Sequence, residues 1–194
     1  MKKIIISGGS GFIGKNLSKY LSNKGYEINI LTRNTDKCNK LDSIKYHKID
    51  FNSIENTAKI IEGAYSIINL SGASIVGKKW SSKYKQEIYN SRINTSNFLV
   101  KTINSLENPP KSFINASAIG IYGNCADEIL DENSKIGKGF LADVCKDWEY
   151  KAEQCNSYTR VIKARIGIVL SNNGGALAKF ALPFHFLFGG PIGN

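Results

Sequence analysis

Apolar and polar positions along the chain fall into two alternating rhythms. Short runs of β-branched and apolar residues predict buried strands over residues 3–7, 27–31, 45–49, 65–70, 112–116 and 160–166. Between them the apolar residues move to helical spacing. Ile13, Leu17, Tyr20 and Leu21 fall on one face of a helix over 12–23, with Gly25 just beyond its end. The same spacing predicts helices over 53–62, 81–106 and 140–156, and Pro109 and Pro110 close the second of these. Strand and helix thus alternate, as they do when helices cover both faces of a parallel sheet. Right-handed crossovers turn that order into an α/β, doubly wound fold. Residues 1–170 are predicted to form one such domain. Residues 171–194 break the rhythm: a short helical stretch runs into a Gly/Pro-rich loop, the expected start of a second lobe that is incomplete.

The turn between the first strand and the first helix reads Ser7-Gly8-Gly9-Ser10-Gly11-Phe12-Ile13-Gly14. Its Gly8, Gly11 and Gly14 spacing, after a strand and before an amphipathic helix, predicts a Rossmann NAD(P)-binding site. A turn this tight needs residues without Cβ, and a pyrophosphate must approach the backbone closely. The helix start offers unpaired N–H groups and a positive dipole end, and Ser10 adds a hydroxyl; Phe12 and Ile13 belong to the same cradle. The second strand ends at Leu31-Thr32-Arg33, with no acid before Asp36. An acid there would bond the ribose hydroxyls of NAD, whereas the planar fork of Arg33 suits a 2′-phosphate. NADP is therefore the expected cofactor, with NAD the alternative. Asp50 and Phe51 are expected beside the adenine. The small residues of Leu70-Ser71-Gly72-Ala73 are expected beside the adenosine half.

Composition changes this picture little. The formal charge is +10, but the lysines are dispersed and no nucleic-acid motif is present, so the charge is read as solvated lysines, with a phosphorylated ligand as a second contribution, and no nucleic-acid partner is expected. The four cysteines, Cys38, Cys125, Cys145 and Cys155, show no CxxC pair, and His47 and His185 lie far from them, which argues against a metal site or a disulfide framework. The apolar run at 4–6 is too short for a secretory signal and no stretch reaches the roughly 18 apolar residues of a membrane helix. A cytoplasmic protein with no membrane partner is expected; nothing in the sequence sets its oligomeric state.

Together, the motifs at 8–14, 70–74 (LSGAS), 91–92 (SR), 117–123 (SAIGIYG), 140–149 (FLADVCKDWE), 165–171 (RIGIVLS), 174–179 (GGALAK) and 189–191 (GGP) carry a resemblance over the whole chain. The chain resembles the atypical extended short-chain dehydrogenases/reductases. More narrowly, it is similar to the NAD(P)-dependent sugar-nucleotide epimerase family, to which the name cell-division inhibitor has also been given. That resemblance implies hydride transfer on a sugar-nucleotide or similar substrate, and a substrate lobe beyond residue 190. It also implies a catalytic Ser, Tyr and Lys, in which the Lys lowers the pKa of the Tyr. Ser117 matches the Ser. If Glu149 is the Glu that follows the Lys, Leu141 stands at the Tyr position and Cys145 at the Lys position, and neither can do that work. Tyr122, expected on the loop after the fifth strand, is the nearest substitute acid. Cys145 lacks a sequence neighbour that would lower its pKa. Arg92 is read either as a substrate-phosphate contact or as half of an ion pair. Two functions follow: an NADP-dependent epimerase- or reductase-like enzyme, or a non-catalytic NADP-binding regulator.

Overall fold

The computed structural model describes residues 1–35, 43–76 and 78–171, together with Gly175, Leu177 and Gly190. Asp36, Cys38, His185 and the short helix expected in the tail lie outside the described residues, apart from Gly175 and Leu177 within that helix. Six strands, β1 (Lys3–Ser7), β2 (Glu27–Thr32), β3 (Ile44–Lys48), β4 (Ser66–Asn69), β5 (Ser112–Ala118) and β6 (Arg160–Ile166), form one sheet in the order β3-β2-β1-β4-β5-β6. Every pairing in it is parallel. The chain starts at the centre, winds outward to β3, then crosses back to β4. This is the doubly wound arrangement, and its crevice opens beyond the C-terminal ends of β1 and β4, where the winding reverses. A two-residue strand, β7 (Leu170–Ser171), follows β6.

The sheet is covered by helices α1 (Phe12–Asn23), α2 (Ile54–Ile61), α3 (Ser82–Asn104) and α4 (Phe140–Ala152). The two-residue period of the strands sorts their side chains between the faces. Ile4, Ile6, Ile28, Ile30 and Ile68 bury against Leu17 and Leu21 of α1. Ile5, Leu31, Ile67 and Phe113 bury against Ile61 of α2, the Phe98, Leu99 and Ile103 cluster of α3, and Ala152 of α4. Serines cap two helices as their positions predict: Ser53 accepts from the Asn56 N–H at 3.3 Å, and Ser81 from the Tyr84 N–H at 3.2 Å.

Three sequence expectations are corrected. The helix expected over 140–156 ends at Ala152, because the chain turns at Asn156, whose N–H donates to Asn104 Oδ1 at 2.8 Å. Strand β5 runs two residues past Ala116, so Ser117 lies within it and pairs in register with Arg165 of β6. Tyr122 ends a short 3-10 turn (Ile119–Tyr122) rather than lying on an open loop.

Candidate functional site

The first turn is built so that only glycine fits it. Gly8 has φ +78°, and a Cβ there would lie 2.8 Å from the Leu70 carbonyl carbon. A Cβ on Gly14 would lie 2.5 Å from both the Gly8 oxygen and the Gly9 Cα. Gly9, which the motif spacing passed over, is equally constrained, since its Cβ would lie 2.7 Å from the Ile30 side chain. The Gly11 N–H donates to the Gly8 carbonyl at 3.0 Å and closes the turn. Gly11 then caps α1 without a side-chain hydrogen bond, and the first turn of α1 carries no acid. The N–H groups of Phe12, Ile13 and Gly14 therefore begin the helix with no side chain competing for them. A glycine-rich turn ending in N–H groups that no side chain caps fits a pyrophosphate. Ser10 sits half-buried at its crest.

The neighbouring strand ends surround this turn. Arg33 is exposed one residue beyond β2. Asp50 is exposed after β3, and its carboxylate accepts from the Asn52 N–H at 2.9 Å. Phe51 is 43% exposed and meets Phe98 edge-on, with ring centroids 5.1 Å apart. After β4 the chain is tied down closely. Leu70 N–H continues the ladder to the Ser7 carbonyl at 2.8 Å. Ser71 Oγ meets Ser7 Oγ at 2.8 Å, and the Ser71 N–H donates to Asn69 Oδ1 at 3.2 Å. The Ala73 N–H donates to Ser91 Oγ at 2.9 Å. Gly72 lies against Arg92, whose Cζ is 3.0 Å from where a Cβ on Gly72 would stand. The fold thus brings together the turn at 8–14, Arg33, Asp50 and the 70–73 loop at the C-terminal ends of the central strands.

Beneath that loop lies a polar lattice that sequence reading missed. Buried Asn69 donates to Asn115 Oδ1 at 2.8 Å and to Ser96 Oγ at 3.0 Å, Ser96 donates to Asn115 Oδ1 at 2.9 Å, and Trp148 Nε1 donates to Ser96 Oγ at 2.8 Å. It ties β4, β5, α3 and α4 together. Fully paired networks of this kind fix one arrangement of the elements they join.

A second cluster surrounds Ser117. Its hydroxyl donates to Glu149 Oε1 at 2.6 Å. Arg165 grips Glu149 with both arms, Nε to Oε1 at 2.9 Å and Nη2 to Oε2 at 3.0 Å, while Lys163 stands 3.9 Å from Oε2. Burial works to raise the Glu149 pKa, but the hydrogen bonds from Arg165 and Ser117 and the charges of Arg165 and Lys163 outweigh it, and the carboxyl is held below the usual range. Arg165 also donates to the Tyr122 hydroxyl at 2.9 Å, and that hydroxyl donates to the Asp131 carbonyl at 2.8 Å. The expectation that Tyr122 stands in as an acid does not fit this geometry, because its proton is already given to a backbone oxygen. Cys145, 4% exposed, borders the same cluster. Burial pushes its thiol pKa up, against the opposing pull of the Ala118 N–H, Arg92 and Ser117. Leu141 is half-buried at the start of α4 and packs towards Gly120. The single sequence sign of the ion pair was Glu149 inside an otherwise amphipathic helix.

Among the described residues no group of acidic, histidine and cysteine side chains could hold a metal ion, and no helix is long and apolar enough to cross a membrane.

The family described as NAD dependent epimerase/dehydratase matches this chain over residues 4–142. The chain is 35% identical over 198 residues to the epimerase family protein SDR39U1 homologue, chloroplastic, of Arabidopsis thaliana, covering 98% of this chain and 56% of that protein. It superposes on the crystal structure of the human epimerase family protein SDR39U1 (isoform 2) with NADPH, with a TM-score of 0.83 and 28% identity over 98% of this chain and 62% of that one. The nucleoside-diphosphate sugar epimerase of Corynebacterium glutamicum gives a TM-score of 0.78 and 28% identity, over 100% of this chain and 39% of that one. The chain therefore spans a little over half the length of its plant relative.

Proposed function

The chain belongs to the NAD dependent epimerase/dehydratase family, and from that membership we propose that it is an NADP-binding, epimerase- or reductase-like protein of the extended short-chain type. Its substrate is a sugar nucleotide or a similar carbonyl or hydroxyl compound. The observation that carries the reading is the turn at Gly8–Gly14, where a Cβ on Gly14 would sit 2.5 Å from the backbone. A turn so tight leaves the start of α1 open to a phosphate. In this reading residues 1–170 are the cofactor domain and residues 171–194 begin a substrate lobe. Gly8, Ser10, Gly11, Phe12, Ile13 and Gly14 hold the pyrophosphate. Arg33 takes the 2′-phosphate, Asp50 and Phe51 flank the adenine, and Leu70, Ser71, Gly72 and Ala73 line the adenosine side. A bound nicotinamide supplies hydride donor and acceptor chemistry. Ser117 gives its proton to Glu149, so it offers a substrate hydroxyl a lone pair and orients it. The human relative's complex with NADPH supports the choice of NADP, and the bacterial relative's name supports a sugar nucleotide.

Replacing Arg33 by Asp tests the cofactor choice. It removes a charge-assisted phosphate contact and should weaken NADPH binding by about 10- to 100-fold while leaving NADH nearly unchanged. Equal affinities for the two cofactors before and after the change would refute the role of Arg33. One observation favours a second reading. Leu141 and Cys145 are uncharged where the family's Tyr and Lys would stand, as in a cofactor-binding regulator. Binding of NADPH without its oxidation against a broad panel of carbonyl compounds and sugar nucleotides would decide for that reading.

A further inference from the structure

Arg92 is a half-buried cation that meets no counterion among the described residues. It projects from α3 and makes one hydrogen bond, Nη1 to the Ile88 carbonyl of its own helix at 2.9 Å. Among the described residues no carboxylate lies within ion-pair distance of it. Burial draws its pKa down, and the side chains that pull the other way are Cys145 and Tyr84, neither of them a carboxylate. The ion pair that the sequence left open as an alternative is thus not formed among these residues.

Its position is set from two sides. The guanidinium lies over the Trp148 ring, 5.2 Å from the centroid, and packs against Gly72, where a Cβ would stand 3.0 Å from its Cζ and push it aside by a few tenths of an ångström. A guanidinium stacked in this way is held in place before a ligand arrives, so less freedom is lost on binding. It also stands between two parts of the site. Gly72 belongs to the loop after β4, Ser117 lies near the end of β5, and Cys145 faces that end from α4. Glu149, the acid nearest that cluster, is taken up by Arg165 and does not oppose an incoming anion.

We infer that Arg92 binds an anionic group of the substrate, a carboxylate or a phosphate, at the C-terminal ends of β4 and β5. The inference rests on the dinucleotide-dependent reading above and narrows its substrate to an acidic one. A partly desolvated guanidinium gains most from a bidentate oxyanion, which replaces the water its burial has removed.

The test uses the full chain carrying Trp80→Phe, so that Trp148 is the one tryptophan left, with and without saturating NADPH, and reads its fluorescence during titration with glucuronate, glucose 6-phosphate and glucose. At least one of the two acids should bind about tenfold or more tightly than neutral glucose. Arg92→Gln should abolish that preference, and Arg92→Lys should keep part of it. Gly72→Ala, which displaces the guanidinium without removing it, should weaken the preference as well and serves if Arg92→Gln does not fold. A wild-type chain without preference for an acid, or a preference that survives Arg92→Gln, overturns the inference. So does a tenfold loss of NADPH affinity in Arg92→Gln with no acid preference in the wild type, which would give the guanidinium to a cofactor phosphate. Failure of the wild type to bind NADPH at all counts separately, against the cofactor reading.

Discussion

Glu149 is 5% exposed on the inner face of α4, yet it carries a charge. Its two oxygens are filled by Ser117 and by both arms of Arg165. Removing one partner of such a pair leaves the other charge buried and alone, which is worse than having neither. Glu149→Gln should therefore destabilise the fold by about 3 kcal/mol, read as a lower urea midpoint with an unchanged slope. A loss below about 1 kcal/mol would mean that the pair is screened as an exposed one is. Sequence spacing marked Glu149 as a register point on the helix. Its partner is sixteen residues away on the next strand, and nothing local announces that they meet. Tyr122 shows the same limit from the other side. Its residue type suited an acid, but the direction of its hydroxyl, towards the Asp131 carbonyl, is decided by a loop that packs from elsewhere.

At the scale of elements, the β1–turn–α1 unit is where sequence and structure agree most closely. The predicted bounds 3–7 and 12–23 are those observed. The two-residue and helical periods are local properties, and glycines fall where the turn forbids a Cβ. Their demands differ in kind, which makes a prediction. A Cβ on Gly14 would lie 2.5 Å from backbone atoms that cannot yield, whereas one on Gly11 would lie 3.2 Å from the Gly8 oxygen. Gly14→Ala should cost about 1–3 kcal/mol through displaced backbone and should also weaken NADPH binding, while Gly11→Ala should cost clearly less stability. Thermal unfolding of the two variants side by side checks the order. Helix ends were less legible: the apolar period continues through Cys155, but α4 stops at Ala152 because Asn156 bonds to Asn104 on α3. The long reach of β5 to Ala118 likewise comes from its partner, since β6 pairs with it as far as Ile166.

For the whole molecule, acid should be the sensitive direction. The carboxyls of Glu149, Glu27, Glu55 and Asp131 all have folded-state pKa values below their ordinary ones. Their contribution is complete above the ordinary carboxylate range, about pH 4, and is lost as pH falls through the lowered values. Glu149 dominates, because Glu55 and Asp131 are exposed, Glu27 is about a third exposed, and solvent screens all three. His47 is also lowered, chiefly by burial, so its protonation opposes folding below about pH 6.5. The melting temperature should therefore hold level near neutrality, drift down below about pH 6.5 and fall steeply below about pH 4. His47→Gln should remove the shallow part alone. A steep fall that persists in Glu149→Gln would place its origin elsewhere, in the self-repulsion of a chain whose formal charge is already +10. The sequence by itself determined the alternation of strands and helices, the doubly wound class and the glycine turn, because each follows from periods and steric demands that act over a few neighbouring residues. The tertiary structure alone decided where β5 and α4 end, which acid Arg165 holds, where the Tyr122 proton goes and that Arg92 meets no counterion among the described residues. Those depend on which groups meet across the sheet and how much water is removed when they do.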